Sequence, residues 1–292
     1  MKINRLTYLI FLYLLIWGIS ELVPDLIFGD ATSPTALMFT VFVPVEEQNS
    51  IYLLNLHYST LFEFLIPVCF IPAILWYIYL YFDKYNKNKQ NQNSDETLEK
   101  NIGLNKPKHY NLVKFLFMSS ILALVVGLGI HYTGDAIDTQ LQWSPEDLDG
   151  SLTTFPKLIA YFFDEVLGHK VLYGGMMLVL TSLLVFQYWS PINNEKKPSN
   201  IDIIILAFFG TIYGIAMGIS YMEGQSAFEY LFVCLIQGII VLVVFNRLKS
   251  KISDKIKKYP YFVFFIIFNI SVVITLLAFI PQISNVYPFF PQ

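Results

Sequence analysis

Three of the chain's four histidines stand near carboxylates, at matching ends of long apolar runs. His131 is followed by Asp135 and Asp138, an H-x-x-x-D-x-x-D spacing that stacks the three on one helical face if the helix outlasts its apolar run. Gly134 could instead end that helix early. Tyr161, Glu165, His169 and Tyr173 recur every fourth residue and draw a polar stripe along an otherwise apolar helix, with Asp164 beside it. His57 lies just ahead of Ser59 and Glu63, and Glu223 closes a later apolar run. Imidazoles with carboxylates suit zinc, iron or manganese, and the same pair also serves as a general base with its orienting partner.

These residues imply an outward-facing metal site. Its expected ligands are His131, His169 and either Asp135 or Glu165, with His57 next. Glu165, Asp164 and Glu223 are the expected acid–base groups, and Tyr161, Tyr173, Ser59 and Glu63 the substrate-contacting or supporting ones. The expected cofactor is Zn2+ or another divalent metal. Neither an H-E-x-x-H motif nor a paired-cysteine motif is present. Cys69 and Cys234 both lie inside apolar runs and read as buried packing groups. Each polar group also has an ordinary role. A histidine near a helix end can be an interfacial hydrogen-bonder, and Asp138, Glu146, Asp147 and Asp149 read as solvated charge. Glu229 suits a helix's first turn, where the dipole favours it.

The elements that must position this cluster are membrane helices. Of 292 residues 55% are hydrophobic and only 14% charged, and mean hydropathy is +0.54. A soluble chain carries about a quarter charged residues, so the surplus apolar surface needs lipid as its solvent. The expected fold is all-α: a single integral membrane domain over 1–292, a bundle of seven transmembrane helices near 6–28, 52–82, 112–132, 158–189, 201–222, 227–246 and 261–281. Lys2 and Arg5 imitate a signal peptide, but no small-x-small site follows, so the first span is expected to remain.

Of the 19 basic residues, all but Lys157 and Lys170 then fall on one side. This predicts a cytoplasmic N-terminus and an external C-terminus in the cell membrane. Residues 83–111 are expected to form a mobile cytoplasmic loop and 133–157 an acidic external one. Gly210, Gly214 and Gly218 present a small-residue face expected to bring Glu223 beside the third and fourth spans. Gln237 and Asn269 are expected to bond between helices.

The stretch Gly127-Leu-Gly-Ile-His131-Tyr-Thr133, followed by Phe163-Asp164-Glu165, resembles the pattern of alkaline ceramidases and related seven-span metal-dependent hydrolases. In that superfamily a Gly-rich helix ends with a serine and a histidine, an Asp-Glu pair follows, and a His-x-x-x-His pair completes a zinc site. The resemblance implies His131 as a ligand and Asp164 or Glu165 as partner of the water or metal. It is confined to these two stretches, and the chain departs from it elsewhere. Position 127 is Gly where the family has serine, His131 and Asp164 stand far apart, and the last span holds no histidine.

Two functions follow from these residues. The first is a metal-dependent membrane hydrolase that opens a lipid amide or ester at the outer interface with a metal-activated water. The alternative is a transporter, channel or proton-linked sensor with a His/carboxylate cation site. The second needs ionisable groups continuing inward, and below Glu63 the spans offer mainly Ser119, Ser120, Gln237 and Asn269. A haem held by two of the histidines and a scaffold with a purely structural cluster complete the field. The expected partner is membrane lipid, as environment and as substrate. A net charge of −3 gives no basis for nucleic-acid binding.

Overall fold

The computed structural model describes residues 4–28, 52–53, 56–92, 109–142, 159–192, 197–223, 227–247 and 256–283. Within these segments some residues, Glu165 and Glu223 among them, are described by their backbone alone. Among the described residues the chain is all-α apart from one antiparallel pair of two-residue strands, β1 (Tyr52–Leu53) and β2 (Leu56–His57). The helices are α1 (Arg5–Phe28), α2 (Tyr58–Gln92), α3 (Tyr110–Gln142), α4 (His169–Trp189), α5 (Asn200–Glu223), α6 (Ala227–Arg247) and α7 (Pro260–Ile283). Directly ahead of α4 runs a π-helical segment, Phe162–Gly168.

Among the described residues five stretches are long and apolar enough to cross a membrane: Leu65–Asp83, Tyr110–Gly134, Ile159–Trp189, Asn200–Met222 and Pro260–Phe279. The shortest, at 19 residues, reaches about 28 Å at 1.5 Å per residue, close to the hydrocarbon thickness. Arg5–Ser20 and Ala227–Leu242 are apolar but shorter. Three boundaries differ from the hydropathy reading. The second helix starts at Tyr58 rather than 52, because the chain first folds back through β1 and β2. It then continues to Gln92, so its polar last turns are helical where a loop from 83 was expected. Likewise α3 passes Gly134 and ends at Gln142, inside the stretch expected as an acidic loop. Hydropathy registers where lipid ends, and a helix need not stop there. What remains of both expected loops, 93–108 and 143–157, lies outside the described residues.

Local chemistry fixes several ends. Ser199 and Asp202 form a reciprocal capping box: the Asp202 amide donates to Ser199 Oγ at 3.1 Å and the Ser199 amide to Asp202 Oδ2 at 2.9 Å. The Asn4 amide donates to the other carboxylate oxygen at 3.0 Å, tying the start of the chain to α5. Pro260 opens α7, where its missing N–H costs nothing. Pro191 pushes Ser190 out of helical geometry and stops α4.

Two glycine seams hold the bundle. Between α3 and the π–α4 rod, Gly127 lies against Leu172, Gly134 against Asp164, Gly168 against His131 and Gly175 against Leu124, which makes the two antiparallel. Between α5 and α7, Gly210, Gly214 and Gly218 meet Phe268, Ser271 and Thr275 in turn, which makes those two parallel. The α5 glycine face packs on α7, and the end of α5 meets α4 where Tyr173 donates to the Ser220 carbonyl; the Glu223 side chain lies outside the description. Aromatic side chains fill the space between: Tyr261, Phe262, Phe264, Phe265 and Phe268 are all buried along α7. Lipid tails are as apolar as leucine, so such contacts stabilise through close packing rather than escape from water.

Candidate functional site

The π segment turns Asp164 toward His131. In an α-helix residues 164 and 169 would point roughly 140° apart, five steps of 100° less one turn. A π-helix bonds residue i to i+5 and stacks such a pair on one side. Asp164 is accordingly buried beside His131, with Oδ1 accepting from His131 Nδ1. The four-residue stripe Tyr161–Glu165–His169–Tyr173 presumed α-helical regularity, and the π turns break it. The sequence placed Asp164 beside that stripe, yet it is the carboxylate that meets the histidine.

Glycine makes the contact close. A Cβ at position 134 would stand 2.6 Å from the Asp164 amide nitrogen, and one at 168 would stand 2.8 Å from the His131 backbone. Both are nearer than any real Cβ approaches, so only glycine lets His131 and Asp164 meet from opposite backbones. Their side chains are 21% and 10% exposed, which leaves the imidazole partly accessible while the carboxylate is nearly enclosed.

His169 completes the cluster. Its ring lies 4.3 Å from that of His131, centroid to centroid, at 39°. Tyr173 stacks on His169 at 5.1 Å and 14°, and its hydroxyl donates to the Ser220 carbonyl of α5 at 3.1 Å. Tyr173 thus stacks on the His169 ring, in keeping with the supporting role that was one of the two expected of it, and directs its hydroxyl toward α5. Tyr161 sits half-buried just ahead of the π segment.

An ionised Asp164 accepting from Nδ1–H fixes the tautomer of His131 and leaves Nε2 as the acceptor. That is the arrangement of a metal-binding imidazole with its carboxylate orienter, and also of a general base. Two rings 4.3 Å apart can turn nitrogens onto one small ion, but a porphyrin cannot pass between them, so they are not opposite axial ligands of a haem. Among the described residues no three His, Cys, Asp or Glu side chains form a ready metal cage. The side chains of Glu165, Glu223, Asp135, His57, Ser59 and Glu63 lie outside the description. Of their backbones, Asp135 shares α3 with His131, Ser59 and Glu63 open α2, Glu223 ends α5, and His57 belongs to β2 rather than to a span.

Other assignments also change. Lys170 pairs with Glu229 at 3.0 Å, both exposed, so Glu229 does more than favour its helix dipole. Cys69 is exposed rather than buried; Cys234 is buried. Gln237 does bond between helices, donating to Thr181 at 2.7 Å, whereas Asn269 donates to Phe265 within its own helix. The sequence reading singled out Tyr173 but missed the tyrosines packed around it. Tyr173, Tyr221 and Tyr230 are buried with adjacent centroids 4.3–5.9 Å apart, and Tyr13 and Tyr213 share a hydroxyl bond of 2.6 Å. Tyr213, Met217 and Tyr221 recur every fourth residue in α5, a visible signal of one buried face.

Beside the cluster, α3 and the start of the π–α4 rod enclose an apolar groove of about 630 Å³. Val126, Ile130, Gly134 and Ile137 line it from α3, and Ile159 and Phe163 from the other wall. No known protein family, curated protein or solved structure matches the chain.

Proposed function

We propose that the chain is a metal-dependent membrane hydrolase acting on a lipid amide or ester at the outer interface. In this reading seven helices cross the membrane, α1 and α6 joining the five longer spans, with the N-terminus cytoplasmic and the C-terminus external. The observation that carries it is the convergence of Asp164, His131 and His169, two imidazoles within 4.3 Å and one carboxylate on an imidazole nitrogen. Ionisable groups are costly at the edge of hydrocarbon, and His131 meeting both Asp164 and His169 there supports a shared task for them.

The donor chemistry fits a divalent ion such as zinc. His131 and His169 would hold it, Asp164 orienting His131, and a further ligand or base would come from Glu165, Asp135, Glu223 or His57. Bound zinc supplies a water whose pKa falls towards about 7. The protein's own part is to hold the imidazoles in one tautomer, accept the water's proton on a neighbouring carboxylate, and shield the linkage from bulk water behind the rings of Tyr173 and His169. Seven spans place this end of α3 outside, at the depth of a headgroup linkage. The reading draws on the resemblance to alkaline ceramidases only for the choice of bond.

Metal analysis of the purified protein tests it. About one zinc per chain is expected, falling below roughly a tenth in His131→Ala and in His169→Ala. Unchanged metal content in both variants, or full hydrolytic activity in metal-free protein, would sink the reading.

A further inference from the structure

A tyrosine in the first turns of a membrane helix ordinarily stands at the interface with its hydroxyl toward the headgroups. Tyr230, near the start of α6, does otherwise. It is 6% exposed, and its hydroxyl turns into the bundle to donate to the Lys170 carbonyl of α4 at 3.1 Å. Lys170 directly follows His169. Gly174, one turn further along α4, keeps that carbonyl open: a Cβ there would already stand 3.5 Å from the Tyr230 hydroxyl. The Tyr230 ring meets Tyr173 edge-on at 5.9 Å and 84°, and Tyr173 in turn stacks on His169. Tyr230 thus touches both supports of His169, the backbone that carries it and the ring that stacks on it.

Neighbouring side chains set the register of this contact. Glu229 accepts from Lys170 Nζ at 3.0 Å, so residues 229 and 230 hold the same residue of α4 by its side chain and by its backbone. An exposed ion pair contributes little stability, and what it adds here is alignment. Tyr230 also stacks on Tyr221 of α5, at 4.3 Å and 19°, and the Tyr173 hydroxyl is tied to the Ser220 carbonyl of the same helix. We infer that Tyr230 is a positioning residue for His169: through the Lys170 carbonyl and the Tyr173 ring it fixes the imidazole plane beside His131. This rests on the reading of the two imidazoles as ligands of one ion, and it adds a part that neither α3 nor α4 supplies. A ligand side chain serves an ion only within about 10–20° of the productive direction, and a ring already held there by packing need not be ordered on binding.

Histidine labelled with 13C at Cε1 reports on the ring with no metal present. In full-length protein in detergent, the His169 signal is the one lost in His169→Ala, and stacking on Tyr173 is expected to keep it apart from the shift of an exposed histidine. Tyr230→Phe keeps the ring and removes the donor; it is expected to move this signal toward the exposed value, and Tyr230→Leu to move it further. Gly174→Val, whose branched side chain would displace the hydroxyl from the α4 side, is expected to repeat the Tyr230→Phe shift with Tyr230 intact.

Cobalt(II), titrated as the probe ion, is expected to bind about tenfold more weakly in Tyr230→Phe, with altered visible absorption. Gln237→Ala cuts another bond between α6 and α4, nearer the middle of α6, and is expected to leave both readouts as they are. A His169 signal that stays put in both Tyr230 variants would overturn the inference, as would an equal shift in Gln237→Ala. If the signal moves as expected while the unaltered protein takes up no cobalt, the positioning stands and the cation reading falls. Cobalt bound equally by the unaltered protein and every Tyr230 variant, with the His169 signal unmoved, does the reverse.

Discussion

Two helix pairs in this protein are closed by glycine, and they put the closeness to different use. In α5 and α7 the glycines recur every fourth residue, the helices run parallel, and what meets across the seam is backbone, Ser271 and Thr275. In α3 and the π–α4 rod the glycines recur every seventh residue on each partner, the helices run antiparallel, and Asp164, His131 and His169 meet there. Both seams gain dispersion contacts and bring backbones together. Only the second combines close approach with a departure from α geometry and with ionisable groups, and that combination marks the site. A small-residue stripe by itself reports packing.

The largest expected break in this contrast comes from Gly168→Val. Its Cβ would meet the His131 backbone at 2.8 Å, where no flexible atom can move aside. Destabilisation of about 3 kcal/mol, followed by unfolding in detergent, should accompany loss of bound zinc. Asp164→Asn keeps the shape of the side chain and removes its charge. Zinc affinity should fall about 10- to 100-fold with little change in unfolding, as competition with a chelator would show. Gly214→Ala tests the other seam, where the new Cβ would lie 2.5 Å from the Phe268 carbonyl. Stability should fall by about 1–2 kcal/mol while zinc content stays intact; a metal loss comparable to that of Gly168→Val would erase the distinction between the seams. The smallest effect is expected for Gln237→Ala, which removes one bond to Thr181 and should cost about 0.6 kcal/mol in the same unfolding assay.

How far the sequence carried these conclusions depends on what each signal measures. Apolar run length placed the helix bodies within a few residues because a bilayer imposes that length. It missed the polar extensions of α2 to Gln92 and α3 to Gln142, since hydropathy is silent where a helix leaves lipid. The pairing of His131 with His169 followed from their common level. The contact of Asp164 with His131 did not, because it depends on a π register that four-residue periodicity assumes away. The reciprocal glycines at 127, 134, 168 and 175 were in plain view, but their meaning lies in pairs from two helices, and a single chain shows only one side of each pair. The α5 stripe was the more conspicuous pattern, and it announced a close neighbour without saying that the neighbour is α7.

The wide turns before His169 also govern how this rod answers a change in length. In a uniform helix, deleting one residue rotates everything on one side of the cut, and a packed membrane helix has no slack for that. Here a deletion between Val166 and Gly168 could be absorbed by tightening Phe162–Gly168 into ordinary α turns. The aromatic contacts of Phe186 and the seat of Trp189 would stay where they are, and only the outer tip would swivel. The protein carries, in effect, one residue of spare chain, stored at the place where the orientation of a single carboxylate matters most.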